Sequence, residues 1–312
     1  MSSHTPFRPR PLHLFIPAAL FALLLAGCTT TPAGLRPATP APHATAAVAS
    51  SSLRSVTEQD GVLRATLSNG LQVVIVSDPL APVATQEITY FVGSNQSPEG
   101  FPGMAHAQEH MMFRGAKGLT GDQLSAISAQ LGGNMDAFTT QNTTSYYFTI
   151  PADDLDLSLK IGALRMASVD DNPEDWQKER GAIEQEVARD NSDPLYVLQS
   201  RAQKYIFAGT PYENTGLGTK DTFDKTTAPM LKGFHDTWYA PNNALLVVSG
   251  DVDPKAVLSK VVDLYGTIPS KELPTKGKIE LSPVKPDTFS SETEQPYGMV
   301  AYVFRMPGFR SP

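Results

Sequence analysis

The chain of 312 residues has a formal net charge of −7, is 41% hydrophobic and holds one cysteine. Such a length and apolar content can bury a sizeable core, so the chain is globular and not disordered overall. The acidic balance, with no basic stretch interleaved with aromatics, excludes general nucleic-acid binding, which relies on clustered Lys and Arg to neutralise phosphates.

The N-terminus reads as a targeting segment. Arg8 and Arg10 precede an apolar run from Leu14 to Leu25, short for a membrane span of about 20 residues but suited to the core of a signal peptide. Leu25-Ala26-Gly27-Cys28 follows and resembles the lipobox of bacterial lipoproteins, in which cleavage before the cysteine leaves it lipid-modified. The sequence therefore predicts a signal peptide over 1–27, a membrane anchor at lipidated Cys28 and a disordered tether over 28–56, rich in Ala, Thr, Pro and Ser. Thr29, in place of an aspartate, resembles sequences sorted to the outer membrane, with the protein facing the periplasm. As Cys28 is the only cysteine, no intramolecular disulfide is possible, and no cysteine can serve as nucleophile or zinc ligand.

The folded part is expected to begin near Thr57. Val62 to Leu67 and Leu71 to Val76 are β-branched runs joined at Ser68-Asn69-Gly70, a strong hairpin signal because Asn and Gly accept positive φ. Ala84 to Val92 predicts a third strand. A polar loop, Ser94 to Gly103, then leads into a helix over His106-Ala107-Gln108-Glu109-His110 that stops near Gly115. The methionines Met104, Met111 and Met112 and the neighbouring Phe113 read as core.

Residues four apart on a helix lie about 40° apart around the axis and about 6 Å along it, so both imidazoles of the pentapeptide reach one small cation, with Glu109 on the same face. Two neutral nitrogen ligands beside a carboxylate suit zinc better than calcium or magnesium. The pentapeptide alone is equally compatible with a polar helix face, and a third protein ligand is needed.

Beyond it, Gly121 to Leu131 predicts a helix capped by Thr120 and closed by Gly132-Gly133. Asn134 to Ile150 is strand-like, and an edge there could pair with an extended peptide through main-chain hydrogen bonds. Asp153 to Val169 is an amphipathic helix. Asn172 and Pro173 start another that runs to about Asp190. Seven residues are close to two helical turns, so Glu179 and Glu186 fall within about 20° of each other on one face, while Glu184 lies off it. By itself a glutamate-rich helix is usually a solvated face; beside two histidines it can supply the missing ligand.

His106-Ala107-Gln108-Glu109-His110, with Glu186 76 positions beyond His110 and Glu179 a heptad earlier, resembles the inverted zinc motif of the pitrilysin and insulin-degrading-enzyme family, which includes the mitochondrial processing peptidase. Gly132-Gly133-Asn134 with Asp136-Ala137-Phe138-Thr139, Gly216-Leu217-Gly218-Thr219, Trp238-Tyr239-Ala240-Pro241-Asn242-Asn243-Ala244 and Val248-Ser249-Gly250-Asp251-Val252 are similar to that family's later signatures. The resemblance implies an α+β fold with a mostly antiparallel sheet flanked by helices. It also implies one Zn²⁺ per chain held by His106, His110 and Glu186, with Glu109 as general base toward a water. Glu179 would belong to the catalytic set by supporting a ligand histidine or the metal's charge. Asn134, Ala137 and Phe138 would contact a peptide or unfolded protein substrate. Gln108 departs from the family's apolar preference and is expected to point away from the metal.

The resemblance assigns residues 57–270 to the zinc-peptidase N-terminal domain. Residues 271–294, rich in Pro, Lys, Glu and Ser, read as a linker, and 295–312, with an expected strand over Tyr297 to Phe304, as the truncated start of a second half-domain. That half would come from the same full-length chain or from a partner chain. The alternatives are a non-catalytic, metal-containing binding or assembly subunit of a peptidase complex, which an intact motif argues against, and a structural lipoprotein, which leaves the glutamate spacing unexplained. His235 reads as a partly buried histidine, and no Gly-x-Ser-x-Gly elbow or phosphate loop is present.

Overall fold

The computed structural model describes residues 52–294, 296–306 and 308. The targeting segment, Cys28 and nearly all of the tether lie outside the described residues. Among the described residues no helix is long and apolar enough to cross a membrane.

The strands are β1 (Leu53–Gln59), β2 (Val62–Leu67), β3 (Gln72–Ser77), β4 (Val83–Tyr90), the short pair β5 (Gly115–Ala116) and β6 (Leu119–Thr120), β7 (Asn134–Thr139), β8 (Thr144–Pro151) and β9 (Ala244–Gly250). The helices are α1 (Met104–Met111), α2 (Gly121–Leu131), α3 (Leu155–Ala167), α4 (Pro173–Asn191), α5 (Pro194–Ile206), α6 (Lys220–Phe223), α7 (Ala228–Trp238) and α8 (Pro254–Tyr265). Seven strands form one sheet in the order β1-β2-β3-β9-β4-β8-β7. Every pair is antiparallel except β3 with β9. This is the α+β architecture that the sequence predicts.

Period-two alternation explains which face packs. Leu63, Ala65 and Leu67 of β2, Val73 and Ile75 of β3, Ile88 and Tyr90 of β4, and Leu246 and Val248 of β9 are all buried. They join Leu159 and Ala163 of α3 and Val257, Leu258 and Val261 of α8 in one core. Each large side chain buried there contributes about 1.5–3 kcal/mol of transfer free energy. The β2–β3 turn is tied to this layer as well, because Asn69 Nδ2 donates to the carbonyls of Tyr265 (2.8 Å) and Ile268 (2.9 Å) at the end of α8.

Two helix boundaries follow from capping. Thr120 Oγ1 accepts from Gln123 N while Gln123 reaches back to Thr120 N, and Gly132 at φ 63° closes α2. Asn172 accepts from Asp175 N ahead of Pro173, and α4 then runs 19 residues, long enough to carry Glu179 and Glu186 about two turns apart on one face.

Three boundaries differ from the sequence reading. The fold starts at Leu53, not near Thr57, because β1 pairs with β2 and its side chains are largely exposed, which leaves little hydrophobic signal in the sequence. The pentapeptide helix ends at Met111, not near Gly115, where φ of 135° starts β5. Tyr297 to Phe304 is not a strand; with no strand beside it among the described residues, a single extended segment leaves its backbone groups to solvent. The stretch 271–294 has no regular secondary structure, yet it is pinned at its start, since Lys271 N donates to Asn242 Oδ1 (3.0 Å) and Lys271 Nζ to the Tyr239 carbonyl (3.0 Å).

Candidate metal centre

Helix α1 is buried on nearly every side, packed on α7, α4 and β7. Its N-terminus has no side-chain cap; Gly103 precedes it at φ 92°. Glycine is required there by a close approach. A Cβ on Gly103 would lie 2.6 Å from Gly218 Cα, and one on Gly218 2.8 Å from Gly103 Cα. This contact lays the 216–219 loop along the first turn of α1 and brings the Leu217 carbonyl to 3.3 Å from His106 Nδ1.

The imidazoles of His106 and His110 thus stand side by side, with ring centroids 4.8 Å apart and planes nearly perpendicular. Glu186 Oε2, from α4, lies 3.5 Å from His106 Nε2 and 3.6 Å from His110 Nε2. One ligand atom from each of these three residues falls within 4.8 Å of the others. Bonds of about 2.0–2.1 Å at tetrahedral angles place ligand atoms about 3.3–3.5 Å apart, so the two separations from Glu186 Oε2 are close to those of ligands on one zinc ion. The 3.5 and 3.6 Å separations are too long for good direct hydrogen bonds. Burial lowers the pKa of both histidines, which favours the neutral imidazole that a metal needs.

The remaining ring nitrogens are fixed from behind. His110 Nδ1 lies 2.9 Å from Glu179 Oε2, and the other carboxylate oxygen of Glu179 accepts from the Arg114 guanidinium. Such a partner sets the tautomer so that Nε2 faces the metal. Glu179→Gln is expected to keep the fold and weaken zinc binding about 10-fold, at the lower end of what loss of an outer hydrogen-bond partner costs. Competition with a chelating dye measures this, and an unchanged zinc affinity would remove Glu179 from the site.

Glu109 does not bind the other ligands. Its Oε2 accepts from Thr139 Oγ1 at 2.5 Å, at the end of β7. Burial raises its pKa, with the Thr139 bond acting in the opposite direction. Glu109 is thus a desolvated carboxylate, one residue from His110, held by the last residue of an edge strand. Gln108 faces away from this cluster and is fully buried. With its amide nitrogen turned inward it donates to the Leu231 carbonyl (2.8 Å) and to Asp171 Oδ2 (3.1 Å), and burial pushes the Asp171 carboxyl up to about 7.

The sequence profile of the family described as Insulinase (Peptidase family M16) matches residues 72–220, and that of the Peptidase M16 inactive domain matches residues 225–312. The chain belongs to peptidase family M16. Zinc protease PqqE of Helicobacter pylori is 31% identical over 67% of this chain and 48% of its own length. An uncharacterised zinc protease of Streptomyces coelicolor is 30% identical over 64% of this chain and 44% of its own. The crystal structure of a protease from Helicobacter pylori superposes with a TM-score of 0.65 at 28% identity, over 70% of this chain and 53% of that one. The periplasmic protease PqqL from Escherichia coli shares the fold, with a TM-score of 0.67 at 23% identity over 73% of this chain and 26% of that one. This M16 chain spans about half the length of the curated relatives it matches.

The join between the two M16 profiles falls inside one compact body. Strand β9, from the second match, lies between β3 and β4, from the first. The structure brings His106, His110, Glu109, Glu179 and Glu186 into one cluster. Asn134, Ala137 and Phe138 sit instead along β7, with Asn134 and Phe138 exposed on the face opposite Ala137 and Thr139. Sequence reasoning missed the roles of Thr139, Leu217 and Arg114. Arg114 was within reach, since the helix expected to run to about Gly115 would have put it one turn beyond His110, and it meets Glu179 although α1 ends at Met111; Thr139 and Leu217 meet the site only through tertiary packing.

Proposed function

We propose that the full protein is a zinc-dependent endopeptidase acting on peptides or unfolded polypeptides in the bacterial envelope. In this reading the present chain supplies the metal-holding half, with one zinc per chain. A second half-domain, in the same polypeptide or a partner chain, completes the substrate chamber. The observation that carries the proposal is the convergence of His106, His110 and Glu186 beside a Glu109 that is not consumed as a ligand. The envelope placement draws support from the lipobox-like Leu25-Ala26-Gly27-Cys28 and from the periplasmic description of the Escherichia coli relative.

His106, His110 and Glu186 would hold the zinc. When bound, the ion supplies Lewis acidity toward a peptide carbonyl and acidifies a water. Glu109 then takes the proton of the attacking water and returns it to the leaving amine, with Thr139 keeping its carboxylate oriented between the two roles. The outer side of β7 carries no neighbouring strand among the described residues. Pairing of its outer backbone groups with an extended substrate would favour unfolded chains.

The test is cleavage of a quenched, extended peptide by the full-length protein. Removal of zinc with a chelator is expected to abolish turnover, and one equivalent of zinc to restore it. Undiminished cleavage by metal-free protein would overturn the assignment.

A further inference from the structure

Away from the metal cluster, α3 carries a cation with no counter-charge. Arg165 is 2% exposed, and its guanidinium is stacked between the rings of Phe113 (4.8 Å) and Tyr146 (4.7 Å). Stacking satisfies the faces of the guanidinium but not its edge. Neither Nε nor Nη2 has a hydrogen-bond partner among the described residues, and no carboxylate pairs with it there. Arg165 lines a cavity with about 10 Å³ open to the centre of a water-sized sphere, enough for one small species.

Tyr146 OH is paired with Tyr239 OH (2.8 Å), but three other polar groups at this cavity are unpartnered among the described residues. Tyr90 OH and Gln86 Oε1 line it and lack hydrogen-bond partners, and Tyr265 OH lacks one beside it. Gly162 keeps the corner open, because a Cβ there would collide with the Tyr265 hydroxyl and lie 2.9 Å from Gln86 Nε2. Counted by chemistry, the wall is rich in donors. A guanidinium only donates, two phenols can donate, and the Gln86 amide can turn to do so.

A water in the cavity would accept some of these hydrogen bonds but leave the positive charge buried and uncompensated, which is the costly case. The phenols cannot supply the missing charge, since burial raises the pKa of Tyr90 and Tyr265 and keeps both protonated. Space for about one water-sized species favours a monatomic anion over a carboxylate or a phosphate. We propose that Arg165, Tyr90 and Tyr265, with Gln86 turned to donate, form an internal site for one chloride-sized monovalent anion. The ion neutralises the guanidinium and joins α3 to β4 and α8 through a shared centre.

Bromide tests this directly, because it replaces chloride and scatters anomalously. Crystals of the full protein grown in sodium bromide are expected to show an anomalous peak within hydrogen-bond reach of Arg165 Nε and Nη2. A peak missing there, with an ordered water instead, overturns the proposal. In solution, melting of the wild-type protein is expected to rise by about 2–4 °C, saturably, in sodium chloride relative to sodium gluconate at equal ionic strength. Tyr265→Phe removes one donor with little change of shape and is expected to raise the half-saturating chloride concentration several-fold, and Arg165→Met to abolish the difference between salts. Should Arg165→Met fail to fold, the wild-type and Tyr265→Phe results decide. Equal melting of the wild-type protein in both salts, or a chloride effect unchanged in Tyr265→Phe, overturns the site.

Discussion

Glu109→Gln is expected to lower kcat by about 10²–10⁴-fold while leaving zinc content at its wild-type level. The separation of these two readouts follows from the geometry. Glu109 directs Oε2 at Thr139 and takes no part in the three-atom cluster of His106, His110 and Glu186, so its replacement leaves the metal's protein ligands intact. An amide of the same shape still accepts from Thr139 but has no basic oxygen to take a proton from water. Zinc content by atomic emission and turnover of a quenched peptide measure the two effects. Wild-type turnover in this variant would remove Glu109 as the base, and loss of zinc would show that it is a ligand.

Glu186→Ala is expected to do the opposite, emptying the site and abolishing turnover without unfolding the protein. Its side chain is 30% exposed and, among the described residues, its one further ion-pair partner is Arg189, at 3.3 Å on the helix surface. Little packing is therefore lost. One of three protein ligands is removed, so the fall in zinc affinity should exceed the about 10–100-fold that attends loss of an outer hydrogen-bond partner. Zinc retained after dialysis against a weak chelator, at the wild-type stoichiometry, would rule out Glu186 as a ligand. The thermal melt should match that of metal-free wild-type protein.

Much of this site was legible because helices convert spacing into direction. A spacing of four from His106 to His110, and of seven from Glu179 to Glu186, fixes which side chains share a face, and the caps at Asn172 and Thr120 fix where two of the helices begin. What spacing does not contain is how one helix meets another. The approach of Gly103 to Gly218, and the arrival of Thr139 at Glu109 from the end of β7, depend on packing between segments 30 or more positions apart. β1 escaped notice for a different reason. Its side chains are mostly exposed, so its place in the sheet rests on backbone pairing with β2, which has no hydrophobic signature. The isolated segment after residue 295 failed in the reverse way: Tyr297, Val300, Tyr302 and Phe304 have β-forming side chains, but these are exposed and nothing described lies alongside to receive the hydrogen bonds.

The position of β9 has a consequence for how the protein is made. β3 and β4 end at residues 77 and 90, yet the strand that separates them is not synthesised until residue 250. In a chain that emerges N-terminus first, these two ribbons stay as separate open edges until β9 follows them. Because β3 carries Val73 and Ile75 and β4 carries Ala84, Ile88 and Tyr90 on the buried face, the chain is most vulnerable to association with other chains during that interval, and closure of the sheet is a late, long-range step.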